Sequence, residues 1–183
     1  MPTRPILIVS GTNRPASNTR RISEVLAGFY RQAQVPVEAL SLTELPAEAF
    51  LPESYASKPA SVQALQQRVL AASGLHIVTP EYNGSFPGVL KYFIDLLKFP
   101  ESFIAKPVAF TGLSAGLWGA LRSVEQLAQV FSYRNAHLFP DRVFIPQIQT
   151  KFDTQERLSD ADIAKRLETQ AQGFAKFVDK VSN

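Results

Sequence analysis

The chain has 183 residues, enough to bury a sizeable core in one domain spanning 1–183, and its 45% hydrophobic content excludes a disordered chain. The formal net charge of +3 suits an anionic small molecule but is too small to indicate nucleic acid or a membrane surface as a partner. There is no cysteine, which excludes disulfides, thiolate metal sites and a cysteine nucleophile, and with two histidines no metal site is expected.

The N-terminal part alternates between strand and helix twice. The short β-branched run 6–9 predicts a fully buried strand, and apolar residues at helical spacing from Ile22 to Tyr30 predict an amphipathic helix. A second strand is predicted at 35–41, followed by a proline-containing loop at 45–59. Ser61 is predicted to cap a second helix. Because the run 6–9 is too short for a secretory signal or a membrane span, a soluble cytoplasmic protein is expected.

The alternation continues to the C-terminus. In chain order the predicted elements are a strand at 75–79, a helix at 88–98, a strand at 107–111, a helix at 120–131, a split fifth strand at 136–139 and 143–145, and a helix at 160–181. This pattern predicts a three-layer, doubly wound α/β domain with a five-stranded parallel sheet. Five strands suit the flavodoxin-like order 2-1-3-4-5, although the pattern does not separate it from other doubly wound orders.

Three unusual loops, 11–18, 80–88 and 113–119, each follow a predicted strand. Loops that follow parallel strands leave the same edge of the sheet, where such sheets bind ligands. In the order above, the three strands concerned are neighbours. We therefore expect one ligand to contact all three loops.

The first loop combines hydroxyl and amide side chains with one guanidinium and runs directly into a helix. A helix N-terminus and these donors favour a phosphate group. The loop matches neither the P-loop nor the dinucleotide fingerprint, so a monophosphate fits better than a pyrophosphate. The alternative is that Ser17 or Asn18 only caps the helix and that Arg14 is solvated.

The second and third loops are rich in glycine. In the second loop, exposed backbone groups and the Asn83 amide suit the polar edge of a flat heterocycle, with Tyr82 or Phe86 over its face. The third loop lets the chain pass close to a planar ligand. The alternatives are a rigid surface loop with buried aromatic side chains and a tight strand-to-helix turn.

With these motifs the chain resembles the NADPH-dependent FMN reductase family, which includes quinone, chromate and azo-dye reductases. The segment TNRPAS at 12–17 matches the family's Ser-x-Arg-x-x-Ser, with Thr for the first Ser. The segment TPEYN at 79–83, followed by PGVLK at 87–91 and by Asp95, matches the family's second motif closely. Ala115 and Trp118 depart from its glycine-rich third loop, which affects the expected electron acceptor more than flavin binding.

The resemblance implies a flavodoxin-like fold, bound FMN, NADPH or NADH as co-substrate, and a homodimer or homotetramer. It implies hydride transfer from NAD(P)H to flavin N5 and then reduction of a quinone, an azo compound, a metal oxyanion or free flavin, with no catalytic side chain assigned. The residues that it places on the phosphate are Thr12, Arg14, Ser17, Asn18 and Thr19. Those that it places along the ring system and ribityl chain are Pro80, Glu81, Tyr82, Asn83, Gly84 and Ser85, with Ser114 and Gly116 at the pyrimidine edge.

Two alternative functions stay open at this point. One is an FMN-binding electron carrier without NAD(P)H reductase activity, which the basic balance disfavours because flavodoxins tend to be acidic. The other is a non-flavin interaction protein on the same scaffold. Separately, the apolar helix at 89–97, with Tyr92, Phe93 and Phe99, predicts a subunit contact, and His76 is predicted to be a satisfied core or edge side chain.

Overall fold

A computed structural model describes residues 2–181, which form six strands and five α-helices. The strands are β1 (Ile6–Ser10), β2 (Val37–Ser41), β3 (Gly74–Pro80), β4 (Pro107–Leu113), β5 (His137–Leu138) and β6 (Val143–Ile145). The helices are α1 (Asn18–Gln32), α2 (Ala60–Ala71), α3 (Gly88–Leu96), α4 (Leu121–Tyr133) and α5 (Ala161–Val181).

All strand pairs are parallel, and the sheet order is β2-β1-β3-β4-β5. The two short strands both pair with β4, β5 with its beginning and β6 with its end. Together they form the predicted split fifth strand. The flavodoxin-like order 2-1-3-4-5 is therefore confirmed.

Helices cover both faces of the sheet because side chains alternate along its buried strands. In β1, Ile6 and Ile8 pack with α1 and α5, whereas Leu7 and Val9 face the opposite way and pack with α2, α3 and α4. All four side chains are almost completely buried. The predicted three-layer architecture follows from this alternation.

His76 lies at the centre of a buried polar network, as predicted. Its Nδ1 is 2.8 Å from the Tyr30 hydroxyl, and its Nε2 is 2.9 Å from Thr111 Oγ1. Thr111 in turn donates to Gln170 Oε1 at 2.7 Å. Burial lowers the pKa of His76 to about 3, so the ring is neutral at pH 7.

The predicted start of the second helix is wrong. The helix begins at Ala60, with Pro59 in the capping position, and Ser61 lies inside its first turn. The Ser61 hydroxyl donates instead to Glu48 Oε1 at 2.9 Å, which joins the helix to the preceding segment. That segment, predicted to be a loop at 45–59, contains two short 3-10 helices, Ala47–Phe50 and Pro52–Tyr55, and a third one, Leu42–Glu44, precedes it.

Other boundaries shift by one or two residues. The fourth strand continues to Leu113 rather than ending at Thr111, because residues 111–113 pair with β3 on one side and with β6 on the other. The helix that follows begins at Leu121, after Ala120 with a left-handed φ of 70°. Within residues 2–181, no helix combines the length and the apolar character needed to cross a membrane.

Candidate functional site

A cleft of about 480 Å³ lies at the carboxyl edge of the sheet, where β1, β3 and β4 end. Its volume is within the range of sites for small molecules and cofactors. The cleft is lined by Arg14, Pro15, Ala16, Ser17, Asn18, Thr19, Pro80, Glu81, Tyr82, Leu113, Ser114, Ala115 and Ile148. All three loops identified in the sequence therefore contribute to one cavity.

The N-terminus of α1 opens into this cleft. Ser17 is its N-cap, and its Oγ accepts a hydrogen bond from the Arg20 amide at 3.2 Å. Asn18 and Thr19 are the first two residues of the helix. Their backbone N–H groups have no acceptor within the helix, because the first N–H groups of any α-helix lack one. No acidic residue lies in the first turn, so the partial positive charge of this terminus is not offset there. The arrangement suits an anion.

Thr12 has a different position from the other candidate phosphate residues. Its side chain is buried and does not line the cleft. Its Oγ1 lies 2.8 Å from the Tyr82 hydroxyl and accepts a hydrogen bond from the Arg14 amide at 3.2 Å. Thr12 therefore connects the first loop to the second, while Arg14 lines both the cleft and a wider opening beside Asn83.

The second loop folds into a tight two-residue turn. Asn83 and Gly84 both have positive φ, at 52° and 78°. Tyr82 and Ser85 exchange backbone hydrogen bonds of 2.8 and 3.1 Å, the pattern of a hairpin turn with Asn-Gly at its tip. Pro80, Glu81 and Tyr82 line the cleft, whereas Gly84 and Ser85 lie outside its lining.

Glu81 contributes a carboxylate with one unsatisfied oxygen. Its backbone amide donates to the Leu113 carbonyl at 3.2 Å, which fixes the loop to β4. Its Oε1 is 3.9 Å from the Arg122 guanidinium, and its Oε2 is buried with no hydrogen-bond partner among the described residues. A buried acceptor without a donor is unfavourable. A ligand that brings an N–H or O–H group into the cleft can satisfy it.

The third loop is shaped by contacts with the segment after β6. The Ser114 amide donates to the Ile145 carbonyl at 3.1 Å, and the Gly116 carbonyl accepts from the Gln147 amide at 3.2 Å. Ser114 lines the cleft but Gly116 does not. Gly119 has a φ of 57°, and a Cβ there would lie 2.7 Å from the Ile145 nitrogen. This glycine lets two stretches of backbone meet.

Sequence reasoning missed the contribution of α4 behind the second loop. The Ser123 hydroxyl donates to the Pro80 carbonyl at 3.0 Å, and Gln126 hydrogen-bonds to the turn at Gly84 and Ser85. Polar residues three apart at the start of this helix were a weak signal for such a face. Nothing in the sequence pattern pointed to Ile148, which enters the cleft from the segment after β6.

Residues 5–150 match the family model described as NADPH-dependent FMN reductase. An NAD(P)H-dependent FMN reductase of Pseudomonas aeruginosa is 35% identical to this chain over 126 residues, covering 67% of the chain and 68% of the relative. A quinone reductase of Escherichia coli K12 is 36% identical over 127 residues, with the same shares covered.

Solved structures share the fold at lower identity. FerB of Paracoccus denitrificans, a flavoenzyme NAD(P)H:(acceptor) oxidoreductase, superposes with a TM-score of 0.82 at 23% identity, covering 97% of this chain and 98% of that one. Flavodoxin 2 of Bacillus cereus superposes with a TM-score of 0.65 at 17% identity, covering 94% of this chain and 99% of that one. These likenesses support the flavodoxin-like architecture.

Proposed function

The chain belongs to the NADPH-dependent FMN reductase family, and we propose that the cleft at the carboxyl edge of its sheet is the FMN site of an NAD(P)H-dependent reductase. The enzyme class and the FMN cofactor follow from the family. The positions of the individual residues around FMN and the identity of the acceptor are proposals. The observation that carries the site is the meeting of all three loops in one cleft at the N-terminus of α1.

The phosphate of FMN fits the N-terminus of α1. The Asn18 and Thr19 amides, the Ser17 hydroxyl and the Arg14 guanidinium supply neutral and charged donors on one side of the cleft. A single phosphate suits this set, because the loop lacks the glycine patterns of the P-loop and of the dinucleotide-binding loop that accommodate a pyrophosphate. Thr12 contributes by holding the loop rather than by contact with the phosphate.

The ring system of FMN fits between the second and third loops. Pro80, Glu81 and Tyr82 lie on one side of the cleft and Ser114 on the other. The polar edge of the isoalloxazine ring carries an N–H donor, and Glu81, whose Oε2 is buried without a donor, lines the same cavity. The remaining predicted residues of these two loops lie outside the lining of the cleft, and we place them at its rim: Asn83, Gly84, Ser85 and Gly116.

FMN, when bound, supplies the hydride-accepting chemistry, and the protein binds and orients it. No side-chain acid or base is needed for hydride transfer. His76 is buried in the core network and neutral at pH 7, so it provides no proton to the site. The role of the loops is to position the ring and to shield one of its faces from water.

A quinone is the acceptor class that we propose. The support is the 36% identity to a quinone reductase together with the wide opening beside Arg14, Glu81, Tyr82 and Asn83, where a flat aromatic molecule has room to stack. Because Tyr82 is partly exposed at this opening, its ring can contribute apolar surface to that contact.

The visible spectrum of the purified protein tests the proposal directly. We expect a yellow protein, or a colourless one that turns yellow when FMN is added, and bleaching by NADPH or NADH without oxygen. Addition of a quinone should restore the colour. A protein that binds FMN but is not bleached by either nucleotide is an electron carrier, and one that never binds FMN refutes the site.

Arg14→Ala tests the phosphate position. We expect FMN affinity to fall about tenfold, the lower end of the range for a lost charge-assisted contact, because Arg14 is exposed to water. Arg31→Ala, at the opposite end of α1, is the control and should leave affinity unchanged. Equal affinities of the two variants in a fluorescence titration would contradict the phosphate role of Arg14.

We also propose that the protein forms a homodimer or homotetramer. The sequence suggested that the outer face of α3 is free for a subunit contact. In the structure this face is partly covered, because Tyr92 stacks on Phe50 with 4.9 Å between ring centroids. Exposed apolar side chains lie beside this helix, on Phe50, Leu51 and Tyr55 of the segment 45–59 and on Phe99 after the helix, each of them about half exposed. Sedimentation at micromolar concentration should show a dimer or tetramer; a monomer alone would contradict the proposal.

The remaining proposals concern partners and location. The acceptor is a small molecule, and neither nucleic acid nor a membrane is a proposed partner, in keeping with the small net charge of +3. The proposed compartment is the cytoplasm, where NAD(P)H is available as the reductant. Fractionation of cells that produce the protein tests this, and recovery outside the cytoplasm would overturn it.

A further inference from the structure

We propose that Gln126 is a positioning residue that clamps the 82–85 turn over the ring site; this inference rests on the proposed FMN site. The Gln126 amide uses both of its polar atoms. Its Oε1 accepts from the Ser85 hydroxyl at 2.5 Å, and its Nε2 donates to the Gly84 carbonyl at 3.4 Å. A helix behind the loop thus holds the turn at two adjacent residues.

Among residues 2–181, the hydrogen bond from Gln126 to Gly84 is the only one that reaches Asn83 or Gly84 from outside the turn. A Cβ built on Gly84 would have no neighbour within 4 Å, so the side of the turn on which a side chain would stand is open. The two backbone hydrogen bonds between Tyr82 and Ser85 close the turn on itself but do not fix it to the sheet. A two-residue turn of this size is marginal on its own in water.

The base of the loop is anchored independently of Gln126. The Glu81 amide donates to the Leu113 carbonyl, and the Tyr82 hydroxyl bonds to Thr12. Loss of the clamp should therefore free the tip while the base keeps its place. The expected consequence is a less ordered rim beside the ring, which weakens FMN binding without unfolding the domain.

Gln126 is exposed, so the clamp competes with water, and its effect should be moderate. A variant series separates the clamp from a general surface effect. Gln126→Ala removes both hydrogen bonds, and Gln126→Glu keeps an acceptor for Ser85 but loses the donor to Gly84. Gln129→Ala changes an exposed glutamine one turn further along α4 and is the matched control.

The first measurement is amide hydrogen exchange of residues 82–85 in the FMN-free protein. We expect exchange in Gln126→Ala to be about three- to tenfold faster at the turn and unchanged in β3, with an intermediate effect in Gln126→Glu and none in Gln129→Ala. An unchanged urea midpoint shows that the domain is intact. Exchange at the turn equal to the wild type would overturn the clamp, whether or not the protein binds FMN.

The second measurement is FMN affinity by fluorescence titration. We expect Gln126→Ala to bind FMN about three- to tenfold more weakly than the wild type. Adding Ser85→Ala to this variant should weaken FMN binding by no more than a further twofold, because the two side chains share one hydrogen bond. Faster exchange with unchanged FMN affinity would overturn the positioning role. Absence of FMN binding by the wild type would instead refute the proposed function, while the exchange result still decides on the clamp.

Discussion

The hydrogen bond between Thr12 and Tyr82 joins the first loop, on the proposed phosphate side of the site, to the second loop, on the proposed ring side. Tyr82→Phe removes one oxygen and leaves the aromatic ring that covers the cleft. The lost partner was 2.8 Å from Thr12 Oγ1, and Thr12 is only 1% exposed. Water therefore has little access to the Thr12 hydroxyl once the tyrosine oxygen is gone.

The size of the effect follows from these two environments. A buried polar group left without its partner costs about 1–3 kcal/mol. Because Tyr82 is 36% exposed, partial relaxation toward solvent places the cost near the lower end, about 1–1.5 kcal/mol. If FMN binding requires the two loops in this arrangement, affinity should fall roughly five- to tenfold.

A double-mutant cycle separates this bond from other effects of the substitutions. Thr12→Val also loses the acceptor for the Arg14 amide, so its effect should exceed that of Tyr82→Phe. Tyr82→Phe on the Thr12→Val background should then change FMN affinity very little, with a coupling of about 1 kcal/mol. Affinity of Tyr82→Phe within twofold of the wild type, or two effects that simply multiply, would refute the reasoning.

Two further predictions concern stability. The folded-state pKa of His76 is about 3 against a usual value of about 6.5, so stability is lost as the pH falls below 6.5. Between pH 7 and 5 the free energy of unfolding of the wild type should fall by about 2 kcal/mol more than that of His76→Gln. Equal losses for the two proteins in parallel urea titrations would contradict this. Gly119→Ala places a Cβ 2.7 Å from the Ile145 nitrogen at a residue with positive φ, and it should lower the free energy of unfolding by at least about 2 kcal/mol. Gly88→Ala has open space around the new Cβ and should change that free energy by no more than about 0.5 kcal/mol. Equal thermal midpoints of the two variants would count against the strain at Gly119.

The fold was predictable because its determinants are local and repeated. Short buried strands alternating with amphipathic helices admit few topologies once crossovers are right-handed. The location of the site follows from the same pattern, since the loops after β1, β3 and β4 leave one edge of the sheet. Boundaries were less predictable, because the last residues of β4 pair with both β3 and β6, which are contacts between distant parts of the chain.

The direction of individual side chains was the part that spacing did not determine. Thr12 and Ser17 lie in the same loop and carry the same functional group. Ser17 faces the cleft because it caps α1, whereas Thr12, two residues beyond β1, is buried and bonds to Tyr82. Whether a hydroxyl binds a ligand or another loop depends on the tertiary contact, which the sequence pattern does not contain.

The tight turn at 82–85 shows how such contacts make a site out of flexible residues. Asn83 and Gly84 adopt the left-handed backbone that the turn requires, and the side of the turn on which a Gly84 side chain would stand is open. Two side chains from outside the loop hold the turn by hydrogen bonds: Thr12 bonds to Tyr82, and Gln126 bonds to Gly84 and Ser85. Since both partners are polar side chains on separate elements, substitution of either one should loosen one part of the rim and leave the sheet intact.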